Sequence, residues 1–109
     1  MIKMPKETWN DIVKDLVVDQ GLDCQYCFER KSTQGAHALV HKRVYNNTKK
    51  HKNINVRENF MPCCDQCAKF SETYAGRCYA WGVLCSWYGR SRIKAWYDGL
   101  NLKVKEIFE

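Results

Sequence analysis

The order of apolar and polar residues near the N-terminus predicts an amphipathic helix. Apolar residues recur at the i, i+3, i+4, i+7, i+8 spacing of one helical face, at Trp9, Ile12, Val13, Leu16 and Val17. Gly21 follows as a stop signal. We therefore predict a helix over residues 6–20. A face of this width packs on the core of its own domain more often than on a partner.

A different pattern, alternation with a period of two, begins at Ala36 and predicts a strand. Along such a strand His37 and His41 share one face with Leu39, while Ala38 and Val40 lie on the other. At about 3.3 Å per residue the two histidines are roughly 13 Å apart, too far to hold one ion unless the chain bends. We expect only one of them at a reaction centre.

The second half of the chain is predicted to be mainly helical. Residues 65–74 form a helix in which Phe70 and Tyr74 are i, i+4 neighbours. The aromatic-rich segment 77–96 contains one or two short helices whose rings are more often core than a surface for nucleobases. Residues 100–108 alternate well enough for a terminal strand, with a helix as the alternative.

The cysteine spacing is the strongest chemical signal. Two Cys-x-x-Cys pairs, Cys24/Cys27 and Cys64/Cys67, can each turn two sulfurs toward one point, and together they supply the four thiolates of a tetrahedral zinc site. Two disulfides or free buried thiols are the less favoured alternative, because the spacing is duplicated and no secretory signal is present. Cys63 could replace Cys64, but only Cys64 repeats the spacing of the first pair. Cys63, Cys78 and Cys85 remain as thiols of no assigned role.

Length and charge narrow the class of protein. A chain of 109 residues is expected to be one domain that a metal would help to stabilise. The net charge of +6 fits a polyanion as partner, although it also fits a solvated surface. The segment from residue 42 to 57 has no acidic residue and six basic ones: Lys42, Arg43, Lys49, Lys50, Lys52 and Arg57. We predict a loop that contacts nucleic-acid phosphates.

No stretch is apolar enough for a membrane span or signal peptide, so a cytoplasmic location without membrane association is expected.

The motifs together resemble a known enzyme family. Cys-x-x-Cys, a histidine after an apolar strand, and Asn59-Phe60-Met61-Pro62-Cys63-Cys64 within residues 24–72 resemble the HNH, or ββα-metal, endonucleases with a four-cysteine zinc site, of phage or mobile-element type. Two positions depart from the family. Ala68 stands where it usually has a metal-binding His after the last cysteine, and Val40 precedes His41 where an acidic residue or His is usual.

The resemblance implies an α+β fold: a small zinc-stabilised treble-clef or ββα-metal domain with flanking helices. A single domain spans residues 1–109, with the N-terminal helix at about 6–20, the zinc motif at about 22–75 and an aromatic-rich helical segment at about 77–109. It also implies a general-base histidine, His41 as first choice and His37 as second, and a bracing Asn59. Catalysis would use Mg²⁺ or Mn²⁺, for which Glu72 could replace the missing ligand.

Three functions follow from this interpretation. The first is a metal-dependent endonuclease that hydrolyses phosphodiester bonds of nucleic acid, with DNA favoured over RNA, encoded by a phage in a bacterial host. The second, supported by Ala68 and Val40, is a zinc-containing nucleic-acid-binding or regulatory protein of the same fold that no longer cleaves. A protein-binding role for the Trp-rich segment is the third, without a specific motif. The choice between DNA and RNA, the recognition of sequence or of a branched junction, and the oligomeric state are left open.

Overall fold

The structure, a computed structural model, describes residues 7–41 and 54–100. Within these two segments it is a small α+β fold with a two-stranded sheet and four α-helices. The predicted terminal strand over residues 100–108 lies outside the described residues except for Leu100, which forms a turn, and the basic loop from Lys42 to residue 53 also lies outside them. None of the helices in the described segments is long and apolar enough to cross a membrane.

The N-terminal helix is confirmed. Helix α1, Trp9–Val13, starts with a capping box between Thr8 and Asp11 and continues as a π-helical turn over Lys14–Asp19. In a π-helix residues five apart lie over one another, as seen in the Lys14–Asp19 ion pair. The apolar face turns inward as predicted, with Ile12 and Leu16 buried.

The sheet is one antiparallel pair. Strand β1, Gln34–His37, pairs with β2, Phe60–Cys63, with Gln34 opposite Cys63 and His37 opposite Phe60. The prediction that the strand continues to His41 is wrong, because the chain turns away from the sheet after His37. The chain turns because the side chain of Asn59 accepts hydrogen bonds from the backbone amides of Leu39 and Val40.

Three helices follow the sheet. They are α2, Ala68–Glu72, preceded by a 3₁₀ turn over Asp65–Cys67; α3, Tyr74–Tyr88; and α4, Arg90–Gly99. The predicted continuous helix over residues 65–74 is wrong in one respect. Thr73 has an extended backbone and caps α3 through its side chain, so Phe70 and Tyr74 belong to different helices and are both exposed.

Strand β2 separates two apolar clusters because neighbouring strand residues point to opposite faces. Phe60 packs with Ile12 and Leu16 of the N-terminal helical segment. Met61 packs with the core of α3 and α4, which includes Leu84, Ile93 and Tyr97. Trp81, Trp96 and Tyr88 lie against this second cluster. Core packing, the favoured interpretation of the aromatic segment, therefore holds for these rings, whereas Tyr74, Tyr79 and Trp87 are exposed.

Candidate functional site

The four predicted zinc ligands form one cluster. One sulfur from each of Cys24, Cys27, Cys64 and Cys67 lies within 4.8 Å of the others, and the Sγ atoms of Cys27 and Cys64 are 3.9 Å apart. A tetrahedral site with metal–sulfur bonds of about 2.3 Å requires sulfur–sulfur distances of roughly 3.8 Å. The geometry therefore fits a metal ion such as zinc.

Local turns place these sulfurs. The Phe28 amide donates to the Cys24 carbonyl, and Phe28 has a left-handed backbone with φ 57, so the first pair forms a tight knuckle. The second pair closes in the same way through a hydrogen bond from the Cys67 amide to the Cys64 carbonyl. Both knuckles sit at the same end of the sheet, since Cys64 directly follows β2.

The electrostatics of the cluster also favour a cation. A hydrogen bond from the backbone of Glu29 lowers the pKa of the Cys27 thiol to about 6, whereas burial raises the pKa of Cys67. Arg30 places a guanidinium nitrogen 3.8 Å from the Cys27 sulfur. Four sulfurs at these distances repel one another as thiolates unless a positive ion lies between them. The donor set therefore suits a metal with a preference for soft ligands.

Cys63 is outside the cluster. Its Sγ donates to the Cys64 carbonyl, and burial raises the pKa of its thiol to about 12. The preference for Cys64 over Cys63 as ligand therefore agrees with the positions of the two sulfurs. Cys63 instead lines a neighbouring pocket.

That pocket, of about 150 Å³, contains both candidate histidines. It is lined by Gln34, Gly35, Ala36, His37, His41, Cys63, Ala68, Ser71 and Glu72. The bend after β1 thus brings together two histidines that an extended strand would hold apart. Nε2 of His41 lies 2.8 Å from Oε1 of Glu72, so the carboxylate expected to compensate for Ala68 contacts the first-choice histidine.

Asn59 fixes the segment that carries His41. Its side chain is fully buried, and its Oδ1 accepts from the amides of Leu39 and Val40 at 2.8 and 3.0 Å. Its Nδ2 donates to the carbonyls of Val40 and Ile54, both at 3.0 Å. The bracing contact that the resemblance implies for Asn59 is therefore present.

His37 is held differently. Its ring stacks on Trp9 with centroids 4.1 Å apart and planes 5° from parallel, and Nε2 lies 2.8 Å from Oδ1 of Asn55. Sequence reasoning missed both partners. In the sequence Trp9 only fits the apolar face of a helix, and Asn55 is one of several asparagines in a predicted loop. Nothing nearby in the sequence therefore identifies either residue as a partner of His37.

The predicted phosphate-binding residues are mostly outside the described part of the chain. Of the six, the structure describes Arg57, whose guanidinium bonds Glu7 at 2.6 and 3.0 Å and Asp15 at 2.8 Å. These carboxylates raise the pKa of Arg57, the bond to Glu7 contributing most. Its charge therefore serves first to join the segment before β2 to the N-terminal helix.

In the segments that the structure describes, the cysteine cluster is the one group of three or more metal-binding side chains close enough to share an ion. Comparison of the chain with models of known protein families, with curated proteins and with solved structures finds no match.

Proposed function

We propose that the protein is a zinc-stabilised, HNH-like endonuclease that hydrolyses phosphodiester bonds of nucleic acid, with DNA as the favoured substrate. One observation carries the proposal: the buried Asn59 holds the Leu39–Val40 backbone so that His41 meets Glu72 in a pocket beside the cysteine cluster. The order knuckle, hairpin, knuckle, helix supports a treble-clef arrangement of the same elements.

In this proposal zinc has a structural role. Four thiolates, from Cys24, Cys27, Cys64 and Cys67, occupy all four coordination positions of a tetrahedral zinc ion and leave none for water. Hydrolysis of the phosphodiester takes place in the neighbouring pocket of His41 and Glu72. His41 accepts the proton of the attacking water, and Glu72, 2.8 Å away, orients the imidazole.

The pocket offers one carboxylate to a hard divalent ion. Mg²⁺ commonly uses one or two protein carboxylates, with waters and substrate phosphate as the other ligands, and Glu72 provides one carboxylate. When bound, Mg²⁺ or Mn²⁺ would supply charge stabilisation for the leaving oxygen. Glu72 is the side chain that would hold it, while His41 remains the base.

The test is nicking of supercoiled plasmid and branched DNA by zinc-loaded protein with added Mg²⁺ or Mn²⁺. We expect His41→Ala to reduce turnover by about 10²–10⁴-fold, the usual effect of losing a general base, with zinc content and DNA affinity unchanged. His37→Ala is the discriminating variant, because the larger loss identifies the base. Glu72→Gln should weaken the response to Mg²⁺, whereas Glu29→Gln, an exposed position that does not line the pocket, should leave it unchanged.

A second candidate is a nucleic-acid-binding or regulatory protein with the same zinc-braced fold and no cleavage activity. Ala68 favours it, because Ala68 lines the pocket at the start of α2 and offers no ligand atom. Wild-type protein that binds DNA or RNA but cuts neither with any divalent ion would select this candidate over the nuclease.

Both candidates predict phosphate contacts from the basic loop. Replacing Lys49, Lys50 and Lys52 by Ala should lower the log–log salt slope of binding by about 0.9 per lost contact on duplex DNA. A control with the same change of charge uses three exposed lysines of the described segments, Lys14, Lys31 and Lys94. Equal slopes for the two triple variants would exclude the loop from binding.

A further inference from the structure

A larger cavity, of about 640 Å³, lies next to the pocket of His41 and Glu72. It is formed between the start of α1 and the end of α4, and its volume is within the range of ligand sites, roughly 300–1,000 Å³. Two indoles, Trp9 and Trp96, contribute to its lining. A site of this size and composition suits a flat aromatic ligand.

The polar groups around the cavity are few and mostly neutralised. Arg57 is bonded to Glu7 and Asp15, and Glu58 receives a hydrogen bond of 3.4 Å from Arg92. Little net charge is therefore left to attract a phosphate into the cavity. Asn55, whose Oδ1 lies 2.8 Å from Nε2 of His37, also lines the cavity, and its amide nitrogen can donate to the polar rim of a neutral ring.

The cavity and the pocket share a wall. Trp9 and Asn55 line the cavity, and both contact His37, which lines the pocket of His41. The ring of Trp9, which lines the cavity, stacks on the ring of His37, which lines the pocket, with 4.1 Å between centroids. The two spaces are therefore neighbours, so that one ligand could place a phosphate in the pocket and a ring in the cavity.

We propose that this cavity binds an unpaired nucleobase of the strand whose phosphodiester lies in the pocket of His41 and Glu72. This inference rests on the proposed function and adds to it a preference of the enzyme for substrates with an unpaired base. A base stacked in a continuous duplex must first be extruded, whereas a base at a bulge, junction or single-stranded end is already available. Stacking on indoles is tolerant of base identity, so the preference concerns pairing rather than sequence.

The first experiment measures quenching of indole fluorescence by deoxynucleoside monophosphates, with deoxyribose 5-phosphate as the probe that lacks a base. The test variant is Ala95→Leu, which adds a side chain to the cavity lining from an exposed helical position. Leucine is a good helix former, so the fold should persist. The matched control is Ala75→Leu on α3, also exposed and not part of the lining.

We expect mononucleotides to bind and deoxyribose 5-phosphate not to bind. Ala95→Leu should weaken nucleotide binding about fivefold or more, in line with the loss of one stacked base, while Ala75→Leu leaves it unchanged. Equal binding of the base-free probe, or equal effects of the two variants, would overturn the proposal. Concentration-dependent dimerisation abolished by Ala95→Leu would also overturn it, because the cavity would then be a contact between two copies of this chain.

The second experiment separates this proposal from the nuclease itself. Branched or bulged DNA is compared with the same substrate carrying an abasic site at the unpaired position, in binding and in nicking. Nicking that ignores both the abasic site and Ala95→Leu would refute the cavity while the nuclease stands. Base-dependent binding that Ala95→Leu abolishes, without cleavage by any divalent ion, would refute the nuclease while the cavity stands.

Discussion

Replacing Asn59 should destabilise the domain more than any ordinary polar substitution. The side chain is fully buried and makes four hydrogen bonds of 2.8–3.0 Å, two as acceptor and two as donor. In Asn59→Ala the amides of Leu39 and Val40 and the carbonyls of Val40 and Ile54 lose this partner inside the protein. Buried polar groups without partners carry the full cost of desolvation.

The magnitude follows from the bond count. A typical hydrogen bond contributes about 0.5–1.5 kcal/mol net, so four bonds amount to about 2–6 kcal/mol. That is a large part of the 5–15 kcal/mol that ordinarily stabilises a domain of this kind. Asn59→Asp retains the two acceptor contacts but turns a carboxylate toward two carbonyls, so we expect a loss of similar size.

The assay is urea denaturation with zinc in excess, followed by tryptophan fluorescence. Asn10→Ala is the matched control, because Asn10 is exposed on α1 and should change the free energy of unfolding by less than about 0.5 kcal/mol. A loss below about 1 kcal/mol for Asn59→Ala would refute the reasoning, since the four contacts could not then be holding the His41 segment.

Two further predictions compare matched substitutions. Cys24→Ser should abolish tight zinc binding and unfold much of the domain, whereas Cys63→Ser, whose hydroxyl can still donate to the neighbouring carbonyl, should keep one zinc per chain by elemental analysis. Equal zinc contents would contradict the assignment. Gly35→Ala should lower the thermal midpoint, because its Cβ would clash with the Phe60 ring, while Gly82→Ala, with open space around it in α3, should gain about 0.5–1 kcal/mol. A Gly35→Ala midpoint at or above that of the wild type would show that Phe60 can move aside.

Features encoded by nearby residues could be predicted from the sequence. The helical spacing of Ile12 and Leu16 identified the face that the structure buries, because periodicity reflects a local geometry. The two Cys-x-x-Cys pairs identified the sulfurs that cluster, because each knuckle is a local turn. The α+β class, by contrast, was implied by the family resemblance.

Features that depend on distant partners were not predictable in this way. Period-two alternation continued to His41, but Asn59, about twenty residues later, draws the backbone out of the strand. Similarly, Arg57 contributed to a basic run in sequence, yet its charge is paired with Glu7 and Asp15 in the structure. Counting residues of one type cannot reveal such pairings, since they are made only when the chain folds.

The contact between His41 and Glu72 depends on two separate structural constraints. Asn59 fixes the backbone that precedes His41, whereas Glu72 lies at the end of α2, which begins directly after Cys67 of the cysteine cluster. Losing the metal would release α2 from the first knuckle, and losing Asn59 would release the histidine. Either change alone separates the pair, so for the 2.8 Å contact the two perturbations should be strongly non-additive.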